Sequence, residues 1–283
     1  MLFAAIFVIK LAGFVINRSV LFKPENLKFM QIKILGWSGG IGANLRTTSF
    51  LIDDDVLVDA GTGLGDLPLN QMTGIRHIFL THSHMDHITG VPLLADSMFG
   101  VHDEPIVVHA LAETIEALKK HVFNWTIWPD FTALPTSERP SLQFVAMAPG
   151  DKLNIRSREF EMIAVNHTVP GVGYCVQAEN GTVAFSGDTT TNDTLWDALN
   201  GYDELDLLFV EAAFSNNDIA ISKVAKHYCP SLLGEDILKL KHRPDVWLTH
   251  FKPGEEDLIY RECVEAMPDF VVQQLRGSEI FKL

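Results

Sequence analysis

Cysteine is scarce in this sequence, with three residues in 283, namely Cys175, Cys229 and Cys263. Three cysteines this far apart exclude a disulfide scaffold and a thiolate zinc knuckle. They are typical of a reducing compartment, so we expect a cytoplasmic protein in which they are small buried apolar side chains. Low-complexity tracts, charge runs and repeats are also absent from residue 30 onward. With 47% apolar and 20% charged residues, the composition excludes disordered, collagen-like and coiled-coil proteins.

A long uninterrupted apolar run is also lacking. The stretch 1–16 is apolar but contains Lys10, and it is shorter than the roughly 20 residues that a transmembrane helix requires. It has neither the basic start nor the cleavage site of a signal peptide. Membrane contact is therefore expected only if residues 1–16 form an uncleaved anchor. The alternating pattern after Met30 predicts one folded domain over 30–283, with 1–29 as an extension outside that domain.

Positive charge is in short supply as well. The net charge is −14, and because residues 1–29 carry a surplus of three positive charges, residues 30–283 carry −17. So acidic a domain repels nucleic-acid polymers over most of its surface. An anionic substrate must be small and must be attracted by a local positive centre. The sequence leaves the oligomeric state open between a monomer and a homodimer.

From residue 30 onward, short β-branched runs alternate with helical stretches. Strands are predicted at 32–35, 49–52, 56–58, 77–80, 105–109, 142–147, 159–165, 172–177, 182–186, 206–210 and 245–249, and helices at 111–123, 193–199, 231–239 and 255–266. Two β-rich blocks that each end in helices flank the proline-bearing stretch 129–140. This order predicts an α/β fold with two sheets face to face and helices outside, a four-layer αβ/βα sandwich.

Three imidazoles and a carboxylate follow the strand at 77–80, as His82, His84, Asp86 and His87. On an extended segment His82 and His84 point to the same side, and a helix starting near Met85 would turn Asp86 and His87 toward the same cavity. Imidazole and carboxylate ligands without thiolate suit Zn²⁺, with Mn²⁺ or Fe as competitors. Four side chains could serve two ions but cannot complete both coordination spheres. More distant ligands are therefore expected.

Candidates for these ligands stand at the ends of later apolar runs. His167 follows 163–165, Asp188 follows 183–187, and His250 follows 246–249. Open α/β sheets carry their chemistry at the carboxyl ends of strands. Any one of these histidines alone would ordinarily be a partly buried core residue. Together with the cluster at 82–87, they predict a metal site.

Five ordered segments resemble the motifs of the metallo-β-lactamase superfamily: VDAGTG (58–63), THSHMDH (81–87), NHT (166–168), SGDTT (186–190) and LTHFKP (248–253). The resemblance implies His82, His84 and His167 at one divalent ion and Asp86, His87 and His250 at a second, with Asp188 bridging. It also implies the αβ/βα sandwich. Asp59 would orient a ligand imidazole, the alternative being a structural aspartate at a strand end.

Longer segments resemble the class II cyclic-nucleotide phosphodiesterases in their bacterial form: ILGWSGGIG (34–42), RTTSFLID (46–53), HSHMDHITGVPLLADS (82–97), FNWTIWPDF (123–131), NHTVPGVGY (166–174) and SGDTTTNDTLW (186–196). This resemblance implies hydrolysis of cAMP or cGMP to the 5′-monophosphate. Asp188 stands where true β-lactamases carry cysteine, which argues against that activity. Met85 replaces the leucine of the class signature, a change that conserves volume.

Glu211 ends the strand at 206–210, and His227 lies sixteen residues later in AKHYCP. A histidine that a glutamate keeps protonated can protonate an alkoxide leaving a phosphodiester. A similar pair is familiar in the phosphodiesterase branch of the superfamily. We therefore predict Glu211, His227 and Asp86 as catalytic residues, the alternative for the pair being a capping histidine and a surface glutamate.

Substrate contacts are expected from two regions. Asn124, Trp125 and Trp128, with Phe123, would form a wall for a nucleobase, unless their helical spacing marks core contacts. Ser38, in a Ser-Gly-Gly turn, would help to present backbone N–H groups to a phosphate, the alternative being a simple tight turn. Lys252 would contact the phosphate or lie solvated at the surface.

Three other functions stay open. An RNA 3′-end processing nuclease would need a basic docking surface, which a domain of charge −17 does not offer. A lactone or thioester hydrolase would have less use for Glu211 and His227. A non-catalytic metal- or nucleotide-binding regulator would have lost metal ligands, and none is missing from the motifs.

Overall fold

The computed structural model describes residues 29–277 and 279–283. The predicted extension at 1–29 lies outside the described residues except for Phe29, so the start of the domain and the anchor at 1–16 stay predictions. Within the described ranges, no helix has the length and hydropathy needed to cross a membrane.

Two seven-stranded sheets form the centre of the structure. The first contains β1 (Gln31–Gly36), β2 (Ser49–Ile52), β3 (Val56–Val58), β4 (His77–Phe79), β5 (Ile106–Ala110), β8 (Leu142–Ala146) and β16 (Ile280–Lys282). The second contains β9 (Lys152–Ile155), β10 (Arg158–Val165), β11 (Gly171–Ala178), β12 (Gly181–Phe185), β13 (Leu207–Glu211), β14 (Asp245–Thr249) and β15 (Val271–Gln274). A small separate hairpin joins β6 (Pro135–Thr136) to β7 (Arg139–Pro140).

In space, the first sheet has the order β16-β1-β2-β3-β4-β5-β8 and the second β15-β14-β13-β12-β11-β10-β9. Strands β12, β13, β14 and β15 run parallel to one another, as do β3, β4, β5 and β8. The carboxyl ends of parallel strands meet at one edge of each sheet, so residues that follow these strands are brought close together.

Eight α-helices complete the described part of the chain: α1 (Leu69–Met72), α2 (Met85–Ile88), α3 (Gly90–Ser97), α4 (Ala112–His121), α5 (Thr194–Leu199), α6 (Ile219–Ala225), α7 (Pro230–Asp236) and α8 (Glu256–Ala266). Short 3₁₀ turns lie at Thr62–Asp66, Asn216–Asp218 and Ile237–Lys239.

Alternation along the strands divides the apolar side chains among three layers of core. In β2, Phe50 and Ile52 point between the sheets, whereas Leu51 packs with the core that α3 and α4 cover. A third core lies on the outer face of the second sheet, where Trp196 of α5 and Ile259 of α8 are fully buried. Three cores separate four layers, so the predicted αβ/βα sandwich is confirmed.

The division into two consecutive β-rich blocks was wrong in detail. Strand β8, expected after the proline stretch with the later strands, pairs in parallel with β5 in the first sheet. The carboxyl-terminal β16 also returns to the first sheet and pairs with β1. The predicted helix at 111–123 ends at His121, and the segment after it is a loop in which Phe123 and Trp128 form an isolated bridge. The helical spacing expected of residues 123, 125 and 128 therefore does not exist.

Candidate metal centre and active site

The predicted ligands all follow strands that end at the same side of the sandwich. After β4 the chain bends at Thr81 and Ser83 as it passes His82 and His84, and α2 then begins at Met85. His167 follows β10, Asp188 follows β12, and His250 follows β14 directly. The first sheet thus contributes the loop 82–87 and the second sheet contributes the remaining three ligands.

These residues form two groups that could each hold a metal ion. One consists of His82, His84, His167 and Asp188, and the other of Asp86, His87, His250 and Asp188. In each group the ligand atoms lie within 4.8 Å of one another. Asp188 belongs to both, which is the division that the superfamily motifs imply.

A single oxygen of Asp188 faces imidazoles from both groups. Its Oδ2 atom lies 3.6 Å from Nε2 of His82, 3.3 Å from Nε2 of His87 and 3.2 Å from Nε2 of His250. Burial by itself would raise the pKa of Asp188, but His250 and His87 outweigh it and hold that pKa well below its ordinary value. The shared carboxylate is therefore charged and available to bridge two cations.

Unpaired buried nitrogens show that the site fits divalent ions. The Nε2 atoms of His82 and His87 are buried and lie 3.6 and 3.3 Å from Oδ2 of Asp188, yet neither makes a well-formed hydrogen bond to Asp188 or to another group among the described residues, an arrangement that is rare unless a ligand completes it. Burial lowers the pKa of His167 to about 4, so this ring is neutral at neutral pH, as metal ligation requires. Imidazole and carboxylate donors without thiolate suit divalent transition metals.

Asp59 lies behind His87 and orients its ring. It is completely buried at a left-handed φ of 56°, and its Oδ2 atom lies 2.6 Å from Nδ1 of His87. The same carboxylate accepts hydrogen bonds from the amide and hydroxyl of Thr81. Burial would lower the pKa of His87, but Asp188 and Asp59 outweigh it and raise that pKa well above its ordinary value. The His87 ring lies between the carboxylates of Asp59 and Asp188, and their negative charge favours a cation at its Nε2 atom.

Glu211 and His227 meet next to both groups of ligands. Oε1 of Glu211 lies 2.8 Å from Nδ1 of His227, and the His227 ring lies 4.9 Å from the ring of His167 and 5.2 Å from that of His250, measured between centroids. Burial would lower the pKa of His227, but the Glu211 carboxylate outweighs it and raises that pKa. For Glu211, burial raises the pKa, although the neighbouring His227 acts to lower it. Glu211 is completely buried, and His227 is 7% exposed.

Ser38 and Lys252 lie on two neighbouring loops next to His250, one after β1 and the other after β14. The Ser38 hydroxyl donates a 3.4 Å hydrogen bond to the carbonyl of Phe251, and Nζ of Lys252 donates to the carbonyl of Gly39 at 3.2 Å. Gly39 packs against His250, since an added Cβ would lie 2.9 Å from the ring. Contact of Ser38 or Lys252 with substrate stays a prediction.

The three residues predicted to stack a nucleobase have different surroundings. The Asn124 side chain is engaged in its own loop, where it accepts from the amides of Thr126 and Ile127. Trp125 is 63% exposed. Trp128 lines a groove of about 530 Å³ next to Ser83 and Met85 of the metal loop, and its indole N–H donates to the carbonyl of Pro92. Of the three, Trp128 has surroundings that suit a binding surface.

Two residues that hold ligands in place were not predicted. The Thr81 hydroxyl lies 3.0 Å from Nδ1 of His82, and the carbonyl of Lys226 accepts from Nδ1 of His167 at 3.0 Å. The threonine at the start of the THSHMDH motif was a usable signal. Nothing in the sequence marked Lys226, whose contact with the His167 ring is made by its backbone carbonyl.

Comparison with known proteins agrees with this geometry. A family model described as a β-lactamase superfamily domain matches residues 54–251. A metallo-β-lactamase fold protein of Bacillus subtilis has the same fold, with a TM-score of 0.71 over 90% of this chain and 99% of its own at 19% identity. The chain belongs to the metallo-β-lactamase superfamily. The chain is therefore a hydrolase of this superfamily, as its motifs predicted.

Its relatives within the superfamily include phosphodiesterases and RNA-processing enzymes. A probable 3′,5′-cyclic-nucleotide phosphodiesterase of Yersinia pestis is 26% identical over 83% of this chain and 81% of its own length. A ribonuclease Z of Haloarcula marismortui is 29% identical over 53% of this chain and 48% of its own. Unliganded PDE1 of yeast superimposes with a TM-score of 0.75 over 90% of this chain and 99% of its own at 19% identity, which shows the shared fold.

Proposed function

We propose that this superfamily member is a dinuclear metal-dependent phosphodiesterase that opens the 3′,5′-cyclic ring of a nucleotide, cAMP or cGMP, to give the 5′-monophosphate. The contact between Glu211 and His227 beside both ligand groups carries the proposal. An alkoxide that leaves a phosphodiester benefits from a proton donor, whereas a good leaving group does not need one.

The chain's own residues would divide the work as follows. Asp188 would bridge the two ions, for which Zn²⁺ is our first choice and Mn²⁺ or Fe the alternatives. When bound, such ions activate water and neutralise charge on the phosphoryl oxygens. Glu211 holds Nδ1 of His227, which leaves Nε2 as the ring atom that would deliver a proton to the departing 3′ oxygen. Asp86, whose side chain is 30% exposed, lies on the open side of the site.

The charge of the protein favours a small substrate over a polymer. Residues 30–283 carry −17, so a long nucleic acid meets repulsion away from the site. Two divalent ions against Asp86 and Asp188 would leave the site locally positive. A small nucleotide-like anion in the cytoplasm is therefore the partner that we propose.

A hydrolysis panel with metal-replete protein tests the proposal. The panel contains cAMP, cGMP, 2′,3′-cyclic nucleotides, bis(p-nitrophenyl) phosphate, an RNA with a 3′ extension, a lactone and a thioester. We expect cAMP or cGMP to yield the 5′-monophosphate, and Asp188→Ala to abolish this activity. Preferential cleavage of the RNA, the lactone or the thioester would overturn the assignment, and the RNA result would favour the ribonuclease Z relatives instead.

A further inference from the structure

Helix α6 ends at a residue that holds His167 from two sides. Lys226 caps this helix in the left-handed conformation, with φ 52° and ψ 51°. Its carbonyl accepts a 3.0 Å hydrogen bond from Nδ1 of His167, and its ammonium donates a 3.0 Å hydrogen bond to the main-chain carbonyl of His167. One residue therefore grips both the ring and the backbone of a ligand that is 59 positions away in the chain.

The bond to the carbonyl fixes which nitrogen of His167 carries its proton. A carbonyl can only accept, so Nδ1 of His167 is the protonated nitrogen and Nε2 keeps its lone pair. That Nε2 atom lies 3.2 Å from Nδ1 of His84, inside the group that contains His82 and Asp188. The contact with Lys226 thus presents the ring in the form and direction that ligation requires.

The same helix end also places the proton donor. His227 follows Lys226 directly, its amide donates to the carbonyl of Ser222 at 3.0 Å, and its carbonyl accepts from the Ser222 hydroxyl at 2.7 Å. A shift of Lys226 would therefore move His227 as well as His167.

We propose that the Lys226 ammonium is a positioning group for His167, and that it sets the affinity of the ion held by His82, His84 and His167 without acting on the ion held by Asp86, His87 and His250. The inference rests on the metal ligation in the proposed function. It does not depend on the identity of the substrate.

The test compares zinc binding of Lys226→Met with that of Lys223→Met, a matched control because Lys223 is an exposed lysine on the same helix. Zinc affinities of both sites are measured by competition with a chromophoric chelator. We expect Lys226→Met to weaken one of the two ions by roughly 10–100-fold, as is usual when a group that orients a ligand is removed. The second ion should bind as in the wild type. Lys223→Met should change neither, and Lys226→Arg, which keeps a cationic donor, should recover most of the loss.

A glycine variant separates the ammonium from the backbone. Lys226→Gly suits the left-handed conformation and keeps the carbonyl but lacks the side chain, so we expect the same selective loss as with methionine. Wild-type affinity in Lys226→Gly or Lys226→Met, or an equal loss at both sites, would overturn the proposal. Binding of two zinc ions by a wild type that hydrolyses no phosphodiester would overturn the proposed function and leave this inference standing.

Discussion

Substitution of Glu211 by glutamine is the sharpest test of the buried pair. Oε1 of Glu211 accepts from Nδ1 of His227 at 2.8 Å and from the amide of Thr189 at 3.0 Å, and Oε2 accepts from the amide of Ala213 at 3.0 Å. All three partners are donors to a completely buried carboxylate. Glutamine offers one oxygen and one NH₂ group, so in either orientation its NH₂ faces a buried N–H group.

The loss of stability follows from the number of buried N–H groups that glutamine leaves without an acceptor. With the NH₂ group in place of Oε2, the Ala213 amide loses its partner, and an unpaired buried donor costs about 1–3 kcal/mol. With the NH₂ group in place of Oε1, both the Thr189 amide and His227 are affected, so this orientation is worse. We therefore expect Glu211→Gln to lower the free energy of unfolding by about 1–3 kcal/mol. The variant also lacks the charge that raises the pKa of His227.

Urea denaturation of the metal-free protein measures the stability term, and turnover of cAMP or cGMP measures the catalytic one. Glu235→Gln is the matched control, since it removes one negative charge from an exposed position of α7, and it should be nearly neutral in both assays. A Glu211→Gln protein as stable as the wild type would refute the buried arrangement of three donors. Unchanged turnover of the cyclic nucleotide would refute the catalytic role of the pair.

Four further outcomes are expected. His227→Ala should keep both metals and lose roughly 10²–10⁴-fold in kcat toward a cyclic nucleotide. The loss in kcat should be much smaller on bis(p-nitrophenyl) phosphate, because its leaving group needs no proton. Equal losses on the two substrates would mean that His227 is not an acid. Asp188→Ala should lower occupancy at both metal sites by elemental analysis, whereas loss at one site would contradict bridging. A chain that begins at Met30 should be soluble and fully active, and aggregation or metal loss would show that residues 1–29 pack on the domain. Burial lowers the pKa of His109 to about 4, so the folded protein resists protonation of this ring and becomes less stable relative to the unfolded chain as the pH falls from 6.5 toward 4. At pH 5 the free energy of unfolding of the metal-free wild type should be about 2 kcal/mol lower through this group than at neutral pH. In urea titrations His109→Leu should remove that loss, whereas His121→Leu, at an exposed position, should not.

Much of the site could be predicted because most of its ligands lie in short sequence segments that also contain the preceding strand. A polar ligand type just after an apolar strand is visible in the sequence, as with His250 after β14 and Asp188 shortly after β12, and together with the cluster at 82–87 these residues indicated a metal site. The central strands are equally visible, since burial on both faces requires nearly continuous apolar residues. The fold class follows from these two patterns.

The remainder depends on contacts that the sequence does not encode locally. Strands β15 and β16 were missed because they are short and partly exposed, so their apolar pattern is weak. Strand β8 belongs to the first sheet because the chain crosses back after α4 to pair it in parallel with β5, and this pairing is not visible in the sequence of β8 itself. Asn124 was predicted to form part of a wall for a nucleobase with Trp125 and Trp128, and the hydrogen bonds of its side-chain oxygen go to its own loop. Lys226 holds the His167 ring through a backbone carbonyl, an atom that any residue type supplies, and its ammonium reaches the His167 carbonyl only because the fold brings together residues 59 positions apart.

The ligands are divided between the two sheets, and this makes the site sensitive to how the sheets pack. A small buried cavity beneath it is lined by Asp188, His250 and three stacked or tilted phenylalanines, Phe50, Phe185 and Phe209. Phe50 comes from one sheet and the other two from its partner, so the three rings are part of the packing between the sheets that carry the ligands. A smaller side chain at Phe209 would leave a cavity in this packing next to the site. Each ligand group takes side chains from both sheets, so aromatic residues that are not ligands themselves help to position the ligands of both groups.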